Sequence, residues 1–273
     1  MYLRSALFFL IFSACASQKQ FKSGLIPPGT VRVNDTLFID KTEVTNIGWR
    51  EYLYYLISIK KDTIAYQMAL PDTLVWSSPD RYDPISEYYF AHPGFNSYPV
   101  VGISYEQAVE FCKWRTYAAN QQVYFKEKNI KAPQSHLNDT FRITFFYRLP
   151  TKGEWEKIAA GKYSVADHPY GYPHIYAKWK GKKQKAFNCE YQSLERTPDT
   201  TRVFYTAPTT SYFKNSTGAY CMIGNIAEMI AEKGIAKGGS FIHPVDSCKI
   251  VFDQLYSEPN RWLGFRCVAV LLK

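Results

Sequence analysis

The chain has 273 residues, of which 46% are hydrophobic and 17% aromatic, with 22 Tyr and a formal net charge of +9. That aromatic content excludes a disordered or fibrous chain, and the length allows one large domain, or two small ones, with a sizeable core. No heptads, low-complexity tracts or internal repeats occur; the positive charge is concentrated in "KWKGKKQK", residues 178–185, which reads as a solvated loop rather than a nucleic-acid surface.

At the N-terminus Arg4 precedes an apolar run over 5–14 and then Cys15. A helix needs about 20 apolar residues to cross a bilayer. A charged start, a short apolar run and small residues before a cut describe a secretory signal peptide instead, over residues 1–14. Ser13 and Ala14 directly before Cys15 resemble the cleavage motif of bacterial lipoproteins. Cys15 is therefore expected to begin the mature chain and carry lipid, with 15–24 as a polar tether and 25–273 as the folded domain. The expected location is the cell envelope, at the outer membrane.

Three helices have readable starts. Thr45 precedes "NIGWREYLYYL", where Trp49, Tyr52, Leu53 and Leu56 fall on one helical face. In "SYEQAVEFCKWRTYAA", Ser104 and Gln107 have capping-box spacing, and Ala108, Phe111 and Cys112 face inward. Thr151 and Glu154 repeat the device in "TKGEWEKIAAG", with Trp155, Ile158 and Ala159 inward and Gly161 as the stop. Strands are expected in "VRVN", "TLFID", "RITFFYRL", "KGGSFI" and "GFRCVAVLL". The stretches 62–98 and 162–220 read as long loops of the functional or tied-down kind. His92, His136, His168 and His174 show no HxxxH or HExxH spacing, and no GxSxG is present, so neither a zinc protease nor a serine hydrolase is supported.

Eight pieces occur in order: "IPPGT", "IDKTEVTN", "PVVGISYEQAVEFCKW", "YRLPTKGEWEKIAAG", "HPYG", "GNIAE", "KGGSF" and "GFRC". Together they resemble the formylglycine-generating enzyme, or sulfatase-modifying factor, family, over about 24–270. The resemblance implies an α+β fold of C-type-lectin-like architecture, with long loops and little regular secondary structure. It implies, for the best-known members, oxidation of a sulfatase cysteine to formylglycine with copper(I) and oxygen. The family also holds non-haem-iron modules, ligand-binding variants, and Bacteroidota lipoproteins of gliding motility and type IX secretion, which the "TEVTN" segment and the "GNIAE" variant resemble.

Carried over by position, the resemblance makes Cys248 the second of two copper thiolates, with Ser240 beside it in an active enzyme, and puts His243 where the first thiolate belongs. His243 and Cys248 could hold a transition metal with Cys221 or Cys189 as a third ligand, but linear two-thiolate copper(I) is lost. Ala227 stands where an aromatic lines the oxygen pocket. Calcium is implied at two places. One comprises Glu228 with the carbonyls of Gly224 and Ile226, and has Cys221 in place of an asparagine. The other comprises Asn188 with the carbonyls of Cys189 and Val203, and has Thr201 in place of an aspartate, with Asp199 nearby. Arg148 and Arg266 read as ion-pair or carbonyl partners. The resemblance also implies a Cys112–Cys267 disulfide. The expectation is a lipid-anchored binding or assembly module with a degenerate oxidase site and envelope protein partners. The alternative is a copper or iron oxidase that uses Cys248.

Overall fold

Thr45 is extended, at φ −94° and ψ 162°, and its hydroxyl accepts from the Gly48 amide at 3.3 Å, which starts α1, Asn46–Tyr54. The structure is a computed structural model that describes residues 26–77, 84–131, 140–179, 181–191 and 205–272. Trp49, Tyr52 and Leu53 are buried on the inner face of α1, and a π-helical turn, Tyr55–Ile59, continues it and buries Leu56. The stretch 62–98 contains α2, Thr63–Met68, and α3, Ile85–Tyr88, with a 3₁₀ turn beyond each, so part of the expected loop is helical.

The capping box at α4, Tyr105–Glu127, is complete: the Gln107 amide donates to Ser104 Oγ at 3.2 Å, and the Ser104 amide donates to Gln107 Oε1 at 2.7 Å. α4 runs on past the stretch that marks its start, and buried Asn120 clamps it to the next strand. The Asn120 amide donates to Phe145 O at 2.7 Å, and its oxygen accepts from the Phe145 amide at 2.9 Å. β3, Phe145–Arg148, leads into α5, Lys152–Ala160, which Thr151 and Glu154 cap in the same reciprocal way. Gly161 ends α5 at φ +58°, where a side chain would also strike Ser216.

Two four-stranded sheets organise the chain. The first has the order β1, β2, β10, β3, all antiparallel, with β1 at Thr30–Arg32, β2 at Leu37–Asp40 and β10 at Val268–Leu271. Alternate residues of this sheet face two separate cores, as the strand period requires. Phe38 and Ala269 join the cluster around Trp49, Phe111 and Phe265, whereas Ile39 and Val268 join the cluster around Trp155, Phe187 and Cys248. The second sheet runs β8, β7, β6, β9, from Asp253–Leu255, Ile235–Lys237, Ala227–Met229 and Leu263–Gly264, with β6 and β9 parallel.

Two strand expectations change. "KGGSFI" leaves the sheet after Lys237, because Gly238 at φ +89° and Gly239 at φ +66° turn the chain away. "GFRCVAVLL" is divided between β9 and β10, and residues 265–267 pass from one sheet to the other through the interior. The basic run is a hairpin rather than a loop: β4, Tyr176–Trp179, pairs with β5, Lys182–Lys185, around Gly181 at φ +78°. The fold is α+β, as the sequence indicates. No helix among the described residues is long and apolar enough to cross a membrane.

Candidate functional site

The segment crossing between the sheets carries Arg266 into a buried polar centre. Its guanidinium donates through Nε to both oxygens of Glu228 at 2.8 Å and through Nη2 to Glu228 Oε1 at 2.5 Å. It also donates to the carbonyls of Asp40, Tyr220 and Cys221. Trp155 Nε1 donates to Glu228 Oε2 at 2.7 Å. Behind this pair lies Glu43, whose Oε1 accepts from Asn225 Nδ2 at 2.8 Å and whose Oε2 lies 4.0 Å from Arg266 without a hydrogen bond. Burial pushes the Glu43 carboxyl up to about 8, against the pull of Arg266.

This arrangement does not fit calcium. Calcium takes six to eight oxygens, but both oxygens of Glu228 face a guanidinium and an indole donor. Gly224 and Ile226 are buried. Asn188 uses its amide as a donor, to Tyr205 O at 3.1 Å and to Asn225 Oδ1 at 3.2 Å, and its main-chain oxygen accepts from the Asn225 amide at 2.8 Å. Of the second expected calcium set, Val203 lies outside the described residues, as do Thr201 and Asp199. Among the described residues no group of three or more His, Cys, Asp and Glu is placed to hold a metal ion.

Ser240, His243 and Cys248 occupy the loop that the two glycines open. The loop brings Ser240 to His243, with Oγ and Nδ1 2.7 Å apart, and the imidazole packs edge-on against Trp262 at 5.0 Å. Burial lowers the imidazole pKa and so favours the neutral ring. Cys248 meets the backbone of this histidine, not its ring: Sγ is 3.9 Å from His243 O and 3.4 Å from Pro244 O. Its sulfur partner is Cys189 Sγ at 3.2 Å. The expected His243–Cys248 ligand pair is thus split, since Nδ1 serves Ser240 and the thiol faces another thiol.

Copper(I) does not fit this donor set either. A linear site holds two sulfurs on opposite sides of the metal, about 4.6 Å apart if the metal–sulfur bonds match the zinc–thiolate length of about 2.3 Å. Two sulfurs at 3.2 Å leave no room between them. The site is also closed by backbone: a Cβ on Gly239 would lie 2.2 Å from Cys248 Sγ, and the residue sits at φ +66°. Gly239→Ala is expected to destabilise the protein by about 2 kcal/mol or more, from left-handed strain and overpacking together, read as a lower urea midpoint with unchanged slope.

The structure places the remaining expected residues as follows. Cys112 and Cys267, the expected disulfide pair, are brought together between α4 and the start of β10, with sulfurs 3.5 Å apart. Arg148 pairs with Glu154 at 2.6 Å, so it and Arg266 are both ion-pair partners. Cys15, the signal segment and the tether lie outside the described residues. Sequence reading missed Glu43 and Asn225. Asn225 links Glu43, Asn188 and Ala207 from φ +66°. Its place after Gly224 is the available signal, because asparagine tolerates the left-handed region better than other side chains. Nothing local marks Glu43 as buried.

The fold has known counterparts. The structure described as the crystal structure of CarF aligns with a TM-score of 0.52 over 90% of this chain and 96% of its own, at 20% identity. PvdO from Pseudomonas aeruginosa aligns with a TM-score of 0.51 over 86% of this chain and 80% of its own, at 18% identity. At such identities the likeness is one of fold. In sequence, the chain is 25% identical over 183 residues to the protein named Chaperone protein LppX of Paenibacillus barcinonensis, which spans 56% of this chain and 62% of that relative's length. The family described as Sulfatase-modifying factor enzyme 1-like domain matches residues 12–271, the same span that carries the Arg266–Glu228 centre and the Ser240–Cys248 loop, and the chain belongs to that family.

Proposed function

We propose that this protein is a lipid-anchored component of the cell envelope whose sulfatase-modifying-factor domain binds and assembles protein partners instead of oxidising a substrate cysteine. The observation that carries this reading is the state of the inherited reaction centre: Cys248 faces Cys189, His243 is held by Ser240, and Ala227 fills the aromatic position without a ring. The family frame persists, with one thiolate kept at Cys248 and its expected partner replaced by His243. The relative named as a chaperone supports a binding role.

In this reading residues 1–14 direct export, Cys15 carries the lipid and the tether is 15–24. The likeness of "TEVTN" and "GNIAE" to Bacteroidota lipoproteins of gliding motility or type IX secretion supports a role of that kind, and in this reading the anchor lies in the outer membrane. The binding face lies over the altered loop. There a cavity of about 450 Å³ is lined by His243, Ser247, Phe252, Asp253, Gln254 and Leu255, and Leu255 is 76% exposed.

A photoreactive residue at position 255, activated in intact cells, is expected to give discrete protein adducts in the membrane fraction. Cys15→Ser is expected to shift the adducts to the soluble fraction, since only multiple acyl chains anchor durably. Absence of adducts at 255 contradicts the binding face, and membrane retention of Cys15→Ser contradicts the lipid anchor.

A further inference from the structure

Cys189 and Cys248 come from segments almost sixty residues apart, and backbone pairing holds both segments in place. The Glu190 amide donates to His243 O at 2.9 Å, and the Val245 amide donates to Glu190 O at 2.8 Å, so the chain beside Cys189 is tied to the chain before Cys248. On the other flank, Asn188 bridges to Gly224. Cys248 ends the short 3₁₀ helix Val245–Cys248. Two glycines roof the sulfurs, since a Cβ on Gly224 would come within 2.7 Å of Cys189 Sγ and one on Gly239 within 2.2 Å of Cys248 Sγ. Both cysteines lie in the apolar cluster around Trp155 and Phe187.

We propose that Cys189 and Cys248 form a structural disulfide, made by thiol–disulfide exchange with a disulfide donor while the chain folds, which ties the 188–190 segment to the loop after Ser240. The sulfurs, 3.2 Å apart, need to approach by about 0.6 Å each to reach a bond of about 2.05 Å. In the exchange, one cysteine thiolate attacks the donor disulfide and releases one donor thiolate, leaving a mixed disulfide. The second cysteine thiolate attacks the protein sulfur of that mixed disulfide, forms the Cys189–Cys248 bond and expels the second donor thiolate. Two electrons pass to the donor, and the two thiol protons pass to solvent or to the released thiolates.

The exchange belongs to the folding chain, because burial raises the Cys189 thiol pKa and both sulfurs are shielded once the fold closes. The same shielding then protects the bond from reductants. The second thiol pair, Cys112 and Cys267, is separate, and the remaining described cysteine, Cys221, has its Sγ on Thr209 O at 3.5 Å. The inference does not depend on the binding role: the bond could exist in a chain without partners, and a binder could lack it.

The mature chain, refolded in a buffer of oxidised and reduced glutathione, alkylated with iodoacetamide under denaturing conditions and digested with trypsin without reduction, gives the test. Trypsin releases Cys189 in the peptide 186–196 and Cys248 in 238–249. The expected product is these two peptides joined, separating on reduction. In Cys189→Ala, Cys248 is expected to become alkylated while any link between Cys112 and Cys267 is unchanged. Separate alkylation of Cys189 and Cys248 in the folded wild type overturns the proposal, and so does linkage of either to a different cysteine. If Cys189→Ala fails to fold, the wild-type peptide map decides alone.

Discussion

Arg266→Leu is expected to destabilise the protein by about 3–5 kcal/mol, the cost of stranding buried charge when one partner of a buried pair is removed. The side chain is fully buried, and so are the two acids it faces, Glu228 at 2.5 Å and Glu43 at 4.0 Å. Its loss also frees the carbonyls of Tyr220 and Cys221, which it holds beside the inherited site. Urea unfolding at pH 7 measures the effect. The double variant Arg266→Leu, Glu228→Leu should be less destabilised than the sum of the two single variants, because Glu228 no longer remains as an uncompensated charge. A single-variant loss below 1 kcal/mol would mean that Glu228 finds other compensation.

Raising the pH from 5 to 8 is expected to weaken the folded state through Glu43. Its carboxyl is raised from an ordinary 4.5 to about 8, with burial as the main cause. Between those values the folded chain keeps a proton on Glu43 that the unfolded chain has released, so ν for the unfolded state is lower and stability falls with pH. The contribution is fully present below pH 4.5 and disappears as the pH rises through about 8. The slope from this one group is about 1.4 kcal/mol per pH unit. Burial raises Asp40 too, against the pull of Arg115, so its effect on stability has the same sign above its ordinary range. The measurement is therefore the difference between wild type and Glu43→Gln: the variant should have the flatter profile and be relatively more stable at pH 8. Equal slopes in the two proteins would contradict the assignment.

The sequence made the local architecture legible where the physics is local. Thr45, Ser104 and Thr151 announce their helices because a cap uses residues three apart, and all three caps are formed. Strand ends were less legible. The glycines after Lys237 carry no side-chain pattern, and the division of "GFRCVAVLL" depends on which sheet each half joins. The hairpin at 176–185 was hidden by lysine, which marks solvent more strongly than it marks strand.

At the site, the sequence shows His243 standing where the resemblance expects a first thiolate. It does not show the tertiary replacement. Cys189 approaches Cys248 only because residues 188–190 pair with 243–245 across the fold. Glu228 was legible as a calcium acid by its position, but Arg266 takes it, and that choice is made by a segment passing between two sheets. Glu43, at the end of an otherwise ordinary turn, becomes chemically distinctive only through burial.

The proposed binding role requires that the inherited centre no longer performs oxidase chemistry. The direct measurement is to incubate the mature domain with copper(I), oxygen and a sulfatase-type CxPxR peptide and to follow the peptide by mass. The peptide thiol is expected to stay unchanged, and Cys248→Ser is expected to behave identically. Conversion of the thiol to an aldehyde, abolished in Cys248→Ser, would contradict the binding role and return this chain to the oxidases of its family.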